Sequence, residues 1–309
     1  MKLATRESYG HALADLSKSY DNLFVLDADL AEATKTMIFK KACPERFIDC
    51  GIAEGNMVGI AAGLASCGNI VFASSFAMFA AGRAFEQIRN SVCYPKLNVK
   101  IGATHAGISV GEDGATHQCC EDIALMRSIP NMTIINPCDD IEARLAVKAA
   151  CETYGPMYLR FGRLAVEDVN TPDYKFELGK GVLLRDGTDV SIIATGLMVG
   201  EAVKAANALE EKGISARVVN IHTIKPIDRE IIVESAKKTG LIVTAEEHNV
   251  IGGLGSAVAE VLSEECPTKL VRIGVEDKFG MSGPALELLK KFGLDCDGIV
   301  NKVLTALNK

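Results

Sequence analysis

Short apolar segments alternate with helical ones along almost the whole 309-residue chain. That alternation constrains the fold more than any single motif does. In the first half, the runs 22–28, 70–74, 97–101, 132–136 and 157–161 read as strands. Residues 5–20, the stretch through Phe85, Ile88 and Val92, and 139–151 carry helical spacing. In the second half, strand-like runs at 190–194, 216–221, 241–245 and 269–273 alternate with helices at 198–212, 228–238 and 254–264. Two further helices, at 283–292 and 298–307, close the chain. Strands spaced by helices in this way are joined by right-handed parallel crossovers. Between the halves, Val166 to Gly179 is a run of Asp, Asn, Pro and Lys without periodicity, which reads as a linker. The expectation is an α/β protein with two parallel or mostly parallel sheet domains, residues 1–165 and 180–309, each with helices on both faces.

A hydrophobic content of 48% supplies sizeable cores. The net charge of -7 is spread out with no Lys/Arg block, so neither nucleic acid nor a membrane surface is expected as a partner. No stretch reaches about 18 uninterrupted apolar residues and the start lacks a secretory signal, so a cytoplasmic location is expected. The ten cysteines include no Cys-x-x-Cys and read as scattered free thiols, with no metal site expected on this chain.

The densest polar run is Ile101 to Gln118, where His105, Glu112, Asp113 and His117 are interleaved with glycines. A loop leaving the carboxyl end of a strand in a parallel sheet is where ligands bind. Glu54 opens a glycine- and alanine-rich helix suited to close packing, and the next acid lies beyond residue 85. It serves either as a complement to the helix dipole or as a proton-transfer group. Phe76 and Phe79 fall on one face and form either plain core or a platform for a flat heteroaromatic ring. The acids of Asp27-Ala-Asp-Leu30 are turn formers or reach into a cleft. Arg160-Phe-Gly-Arg163 leaves the end of the last strand of this half, and its two guanidinium groups suit phosphate binding. His222 and Glu246-Glu247-His248 read as interface or structural residues, and Gly252-Gly-Leu-Gly255 weakly resembles a phosphate loop.

Taken together, Ile52-Ala-Glu-Gly-Asn-Met57, the phenylalanine pair and Thr104-His-(x7)-Asp113-(x3)-His117 resemble the carboxyl-terminal half of transketolase nearly end to end. Gly111-Glu-Asp-Gly-Ala-Thr-His117 is the most specific piece. The resemblance implies a pyrimidine-binding domain followed by the smaller transketolase carboxyl-terminal domain, and thiamine diphosphate as cofactor. It implies that Glu54 activates the cofactor, that Phe76 and Phe79 stack on its pyrimidine, and that Asp29 lies close to it across a dimer interface. His117 and Asp113 would bind the donor hydroxyls, with His117 available for proton transfer. His105, Arg6 and Arg163 would anchor the sugar phosphate. Departures are Ala73 at a third cofactor aromatic, with Phe72 as a substitute, and Ala33 at a serine phosphate ligand, with Thr34 beside it.

The family holds the cofactor diphosphate and a divalent metal through a Gly-Asp-Gly motif, and none occurs here. The resemblance therefore implies a split transketolase, inactive alone. An amino-terminal subunit would carry Mg or Ca, and two copies of each chain would assemble. Related readings are a deoxyxylulose phosphate synthase-like subunit, suggested by Gly293-Leu-Asp-Cys-Asp-Gly298, a 2-oxoacid dehydrogenase beta-like subunit, and a non-catalytic scaffold.

Overall fold

The computed structural model describes residues 2–308. Its strands in chain order are β1 (Lys2–Ala4), β2 (Leu23–Asp27), β3 (Phe47–Asp49), β4 (Ile70–Phe76), β5 (Val99–Thr104), β6 (Thr133–Ile135) and β7 (Met157–Arg160). There follow β8 (Ala165–Glu167), β9 (Val182–Arg185), β10 (Val190–Ala194), β11 (Ala216–Asn220), β12 (Thr223–Lys225), β13 (Leu241–Asn249) and β14 (Lys269–Val275). One sheet runs β12-β6-β7-β5-β4-β2-β3, the second runs β14-β13-β10-β11-β9, and β1 pairs with β8 in a two-stranded ribbon. Both main sheets are parallel except at one edge each, where β12 and β9 run antiparallel to their neighbours. The α/β expectation of two mostly parallel sheets holds. The halves are more entangled than a linker implies, because β12 completes the first sheet from the second half. The stretch read as linker also begins in β8, whose Val166 pairs with Leu3.

The first sheet is covered on both faces. On one side β2 and β4 send Leu26 and Ala73 against Val58 and Ala61 of the helix Glu54–Ser66. On the other, Val25 and Phe72 pack with Tyr9 and Leu13 of the helix Thr5–Leu16 and with Val147 of the helix Asp140–Glu152. Strand alternation dictates this division. It also settles the Phe72 substitution: the ring is fully buried against Tyr9, on the opposite face from position 73, and does not replace the missing aromatic. Strand β5 runs on to Thr104, so Gly102 is a strand residue and not part of the loop.

Chain order gives the first sheet a switch point. From β2 the chain moves outward to β3, then crosses back to β4 on the other side. A crevice opens at the carboxyl ends of strands diverging in this way, and ligands bind there. The segments leaving β2, β3, β4 and β5 carry Asp29, Glu54, Phe79 and His105, respectively.

Among the described residues, no helix is long and apolar enough to cross a membrane.

Candidate active site

Glu54 is the first residue of its helix and is 3% exposed. Its carboxylate accepts from Ser75 Oγ at 3.4 Å and from Arg83 Nη1 at 3.3 Å to each oxygen. Ser75 lies one residue before Phe76 at the end of β4. Arg83 closes a π-helical turn, Phe79–Arg83, in the segment that follows. Such turns widen the helix locally and recur at functional sites. The setting is thus not purely apolar: the buried acid faces a half-exposed cation. Arg83 was not apparent in the sequence, although it is the first charge after Glu54.

The aromatic groups gather beside this carboxylate. Phe76 and Phe79 stack with centroids 5.7 Å apart, and Phe76 also stacks on the His105 ring at 3.8 Å. His117 meets Phe79 edge-on at 5.4 Å. The Arg83 guanidinium lies over the Phe79 ring at 4.1 Å. One flat, N–H-bearing cation therefore covers the aromatic face and satisfies the acid at once. This is the donor and stacking pattern that an aminopyrimidine ring also presents, and it is the sense in which these residues fit the pyrimidine end of thiamine diphosphate.

His105 follows β5 with φ of 56°. Arginine can only donate, so the 3.0 Å contact from Arg6 Nη1 makes His105 Nε2 the acceptor. The Nδ1 proton then goes to Thr104 Oγ1 at 2.9 Å. Burial, followed by the Arg6 and Arg163 charges, pushes the His105 pKa down to about 3, so the ring is neutral. Arg6 also donates to Ala33 O at 2.8 Å, and its own pKa is lowered by burial and by Arg163. Arg163 contacts Val110 O and, at 3.1 Å, Glu112. Arg6, Arg163 and His105 thus form one electropositive group.

Thr34 is fully buried and donates to Asp27 Oδ2 at 2.7 Å, as Thr36 does at 2.8 Å. It supports the turn and does not stand in for a phosphate ligand. Asp113 and Asp29 are both exposed. Asp113 sits on the glycine turn before His117, and Asp29 adopts φ of 62° with its amide on Asp49.

Two other residue readings change. Arg160 is buried and donates from Nε to Asp122 at 2.8 Å, and from Nη2 to Cys119 O and Glu247 O, so it is a pin between the halves and not a phosphate ligand. Burial opposes the Asp122 charge, but Arg160 and His248 outweigh it and hold its pKa below the usual range. The Gly252–Gly255 turn has an internal anion: Glu246 accepts from the amides of Leu254 and Gly255 at 2.7 and 2.8 Å, which leaves no place for a phosphate. Among the described residues, no group of His, Cys, Asp and Glu is placed to hold a metal ion. An inter-domain cavity of about 300 Å³, lined by Lys2, Val166, Leu197 and Lys204 among others, includes none of the clustered residues and lies apart from this chemistry.

Residues 1–168 match the transketolase pyrimidine-binding domain and residues 179–299 match the transketolase C-terminal domain. Fold and site together define the class, the paired pyrimidine-binding and carboxyl-terminal domains of thiamine-diphosphate enzymes. Over 307 residues the chain is 54% identical to a putative transketolase C-terminal section from Methanocaldococcus jannaschii, covering 98% of this chain and 96% of that protein. It is 45% identical to the 6-deoxy-6-sulfo-D-fructose transketolase subunit SqwH of Clostridium sp. (strain MSTE9), covering 96% and 92%. A solved structure described as a split gene transketolase, inactive beta4 tetramer, superposes with a TM-score of 0.93 at 56% identity, covering 99% of both chains. The chain belongs to the transketolase family.

Proposed function

We propose that this chain is the carboxyl-terminal subunit of a transketolase divided between two polypeptides. It transfers a two-carbon ketol unit from a ketose phosphate to an aldose phosphate. The observation that carries this reading is the convergence of a buried carboxylate, two stacked phenylalanines and two histidines at the switch point, beside a pair of arginines.

Bound thiamine diphosphate supplies a nucleophilic carbon that takes up the ketol fragment. Glu54 would hold the pyrimidine by a hydrogen bond to N1′ and favour its imino form, with Arg83 releasing the acid and the Phe79 face as the ring enters. Phe76 and Phe79 would set the plane of that ring. Asp29, exposed at the same crevice, would meet the cofactor from across the interface between two copies of the chain. His117, half-buried beside Phe79, would bind and move protons at the donor hydroxyls together with Asp113. Arg6 and Arg163 would anchor the anionic end of the sugar, and His105 would orient Arg6 through its Nε2 lone pair. The amino-terminal subunit would hold the diphosphate and its Mg or Ca ion, so that two copies of each chain make the working assembly.

The relative named for a sulfo-sugar supports ketol transfer and leaves the anionic group of the donor to experiment. The test is co-expression with an amino-terminal transketolase half from the same source, followed by assay with thiamine diphosphate, magnesium, xylulose 5-phosphate and ribose 5-phosphate. Turnover by the mixture and by neither chain alone is expected. Turnover of pyruvate in place of the ketose would replace this reading with the oxoacid one.

A further inference from the structure

The loop that bears His117 is held from both domains: Arg163 of its own domain contacts Val110 O and Glu112, while the second domain reaches it at Ile108, Ser109 and Gln118. Ile108 is part of the hydrophobic core of the second domain, the cluster that includes Val275 and Leu288. Next to it the Ser109 amide donates to the buried Glu247 carboxylate at 2.6 Å, across the domain boundary. Gly107 is obligatory here: its φ is +80°, and a Cβ would fall 2.3 Å from the Glu247 carboxyl carbon. At the far end of the loop Gln118 donates to Met281 O at 2.9 Å. Glu247 is itself held in place, since its carbonyl accepts from Arg160 at 2.9 Å.

We infer that Glu247 is a positioning residue for the transferase reaction, a strut by which the second domain fixes the backbone between His105 and His117. The inference rests on the function proposed above. Glu247 lies on β13, and among the described residues the side chains in contact around Glu54 all come from the first domain. Its contribution is to set where the substrate-facing histidine stands relative to the aromatic pair. A buried carboxylate accepting a backbone amide forms a short, charge-assisted bond of about twice the strength of a neutral one.

Two readouts on Glu247→Gln test this. In the isolated chain, exchange of the Ser109 amide should speed up by about ten-fold, the loss of roughly 1.4 kcal/mol of bonding, with amides of the helix Glu54–Ser66 unchanged. In the reconstituted enzyme, kcat/KM for xylulose 5-phosphate should fall by about 10- to 100-fold while the Kd for thiamine diphosphate is unchanged, because small displacements near reacting atoms carry penalties of that order. Unchanged Ser109 exchange, or equal losses in donor turnover and cofactor affinity, would overturn the inference. Should wild-type mixtures show no turnover, the proposed function is what has failed, and amide exchange alone decides the strut. If the variant does not fold, the wild-type Ser109 amide decides: strong protection supports the strut and exchange at the unprotected rate refutes it.

Discussion

Burial holds His222 neutral, with its pKa pushed down to about 4, and His105 likewise at about 3. Their contribution to stability is complete above the ordinary histidine pKa near 6.5. It is lost as pH falls towards the folded values, at up to about 1.4 kcal/mol per pH unit for each group. Glu142 has the opposite sign. It is fully buried and accepts from Cys138 N, Tyr174 Oη and Asn220 Nδ2, each at 2.8 Å. Burial nonetheless raises its pKa from 4.5 to about 7. Its contribution is complete below pH 4.5 and disappears as pH rises through 7. Urea unfolding of Glu142→Gln beside wild type separates these effects. The difference should be flat below about pH 4.5 and move in favour of the variant up to about pH 7. A pH-independent difference would show that Glu142 does not titrate within the fold. At this scale the sequence was a partial guide. Glu54 and the histidines stood out because they break apolar surroundings, and Phe76 and Phe79 because they fall three apart on one face. Arg83 and the two nitrogens of His105 did not, because pairings such as Arg83–Glu54 and Arg6–His105 are made only when distant segments meet.

The strands and helices of both domains were legible from periodicity, since long amphipathic segments bury one face and repeat accordingly. The short strands β1, β3, β8, β9 and β12 were not, because three or four residues carry too little period to register. Gly102 shows the same limit. Four glycines clustered in sequence read as one loop, yet Gly102 is in mid-strand for a packing reason: an added Cβ would lie 2.2 Å from Tyr9 Oη and 3.1 Å from Ser74 Oγ. Those two oxygens share a 2.6 Å hydrogen bond, and the Tyr9 ring stacks on Phe161 at 4.6 Å. Gly102→Ala should therefore destabilise the first domain by about 1–3 kcal/mol or more, as overpacking does. An unchanged urea midpoint would contradict that account. Asp139 is a second test at this scale. It caps the helix Asp140–Glu152 through the Glu142 amide and also accepts from the amides of Val169 and Asn170 in the segment between the domains. Replacement by Ala should cost more than the roughly 1 kcal/mol of an ordinary cap. A loss near that ordinary figure would mean that the inter-domain bonds contribute nothing.

At the scale of the whole molecule, the two halves are one structural unit: β12 completes the first sheet, Ile108 fills the core of the second domain, and Arg160 with Asp122 is buried between them. Such a buried pair stabilises mainly by not being broken, since removing one partner costs about 3–5 kcal/mol. The switch-point cluster is buried at Glu54, Phe76 and His105 and opens to the surface at Arg83, Asp29 and Asp113. Its acid and the Phe79 face are covered by a single half-exposed arginine, which suits the proposed completion of the site by another polypeptide. The central claim is that the Glu54 carboxylate makes the cofactor reactive at that seam. Its most direct test is hydrogen–deuterium exchange at C2 of thiamine diphosphate in the assembly with the amino-terminal subunit, followed by NMR. The account predicts fast exchange in wild type, slowed by about 100-fold or more in Glu54→Ala with cofactor still bound, the scale of a lost proton-transfer group. Exchange at the wild-type rate in the variant would contradict it.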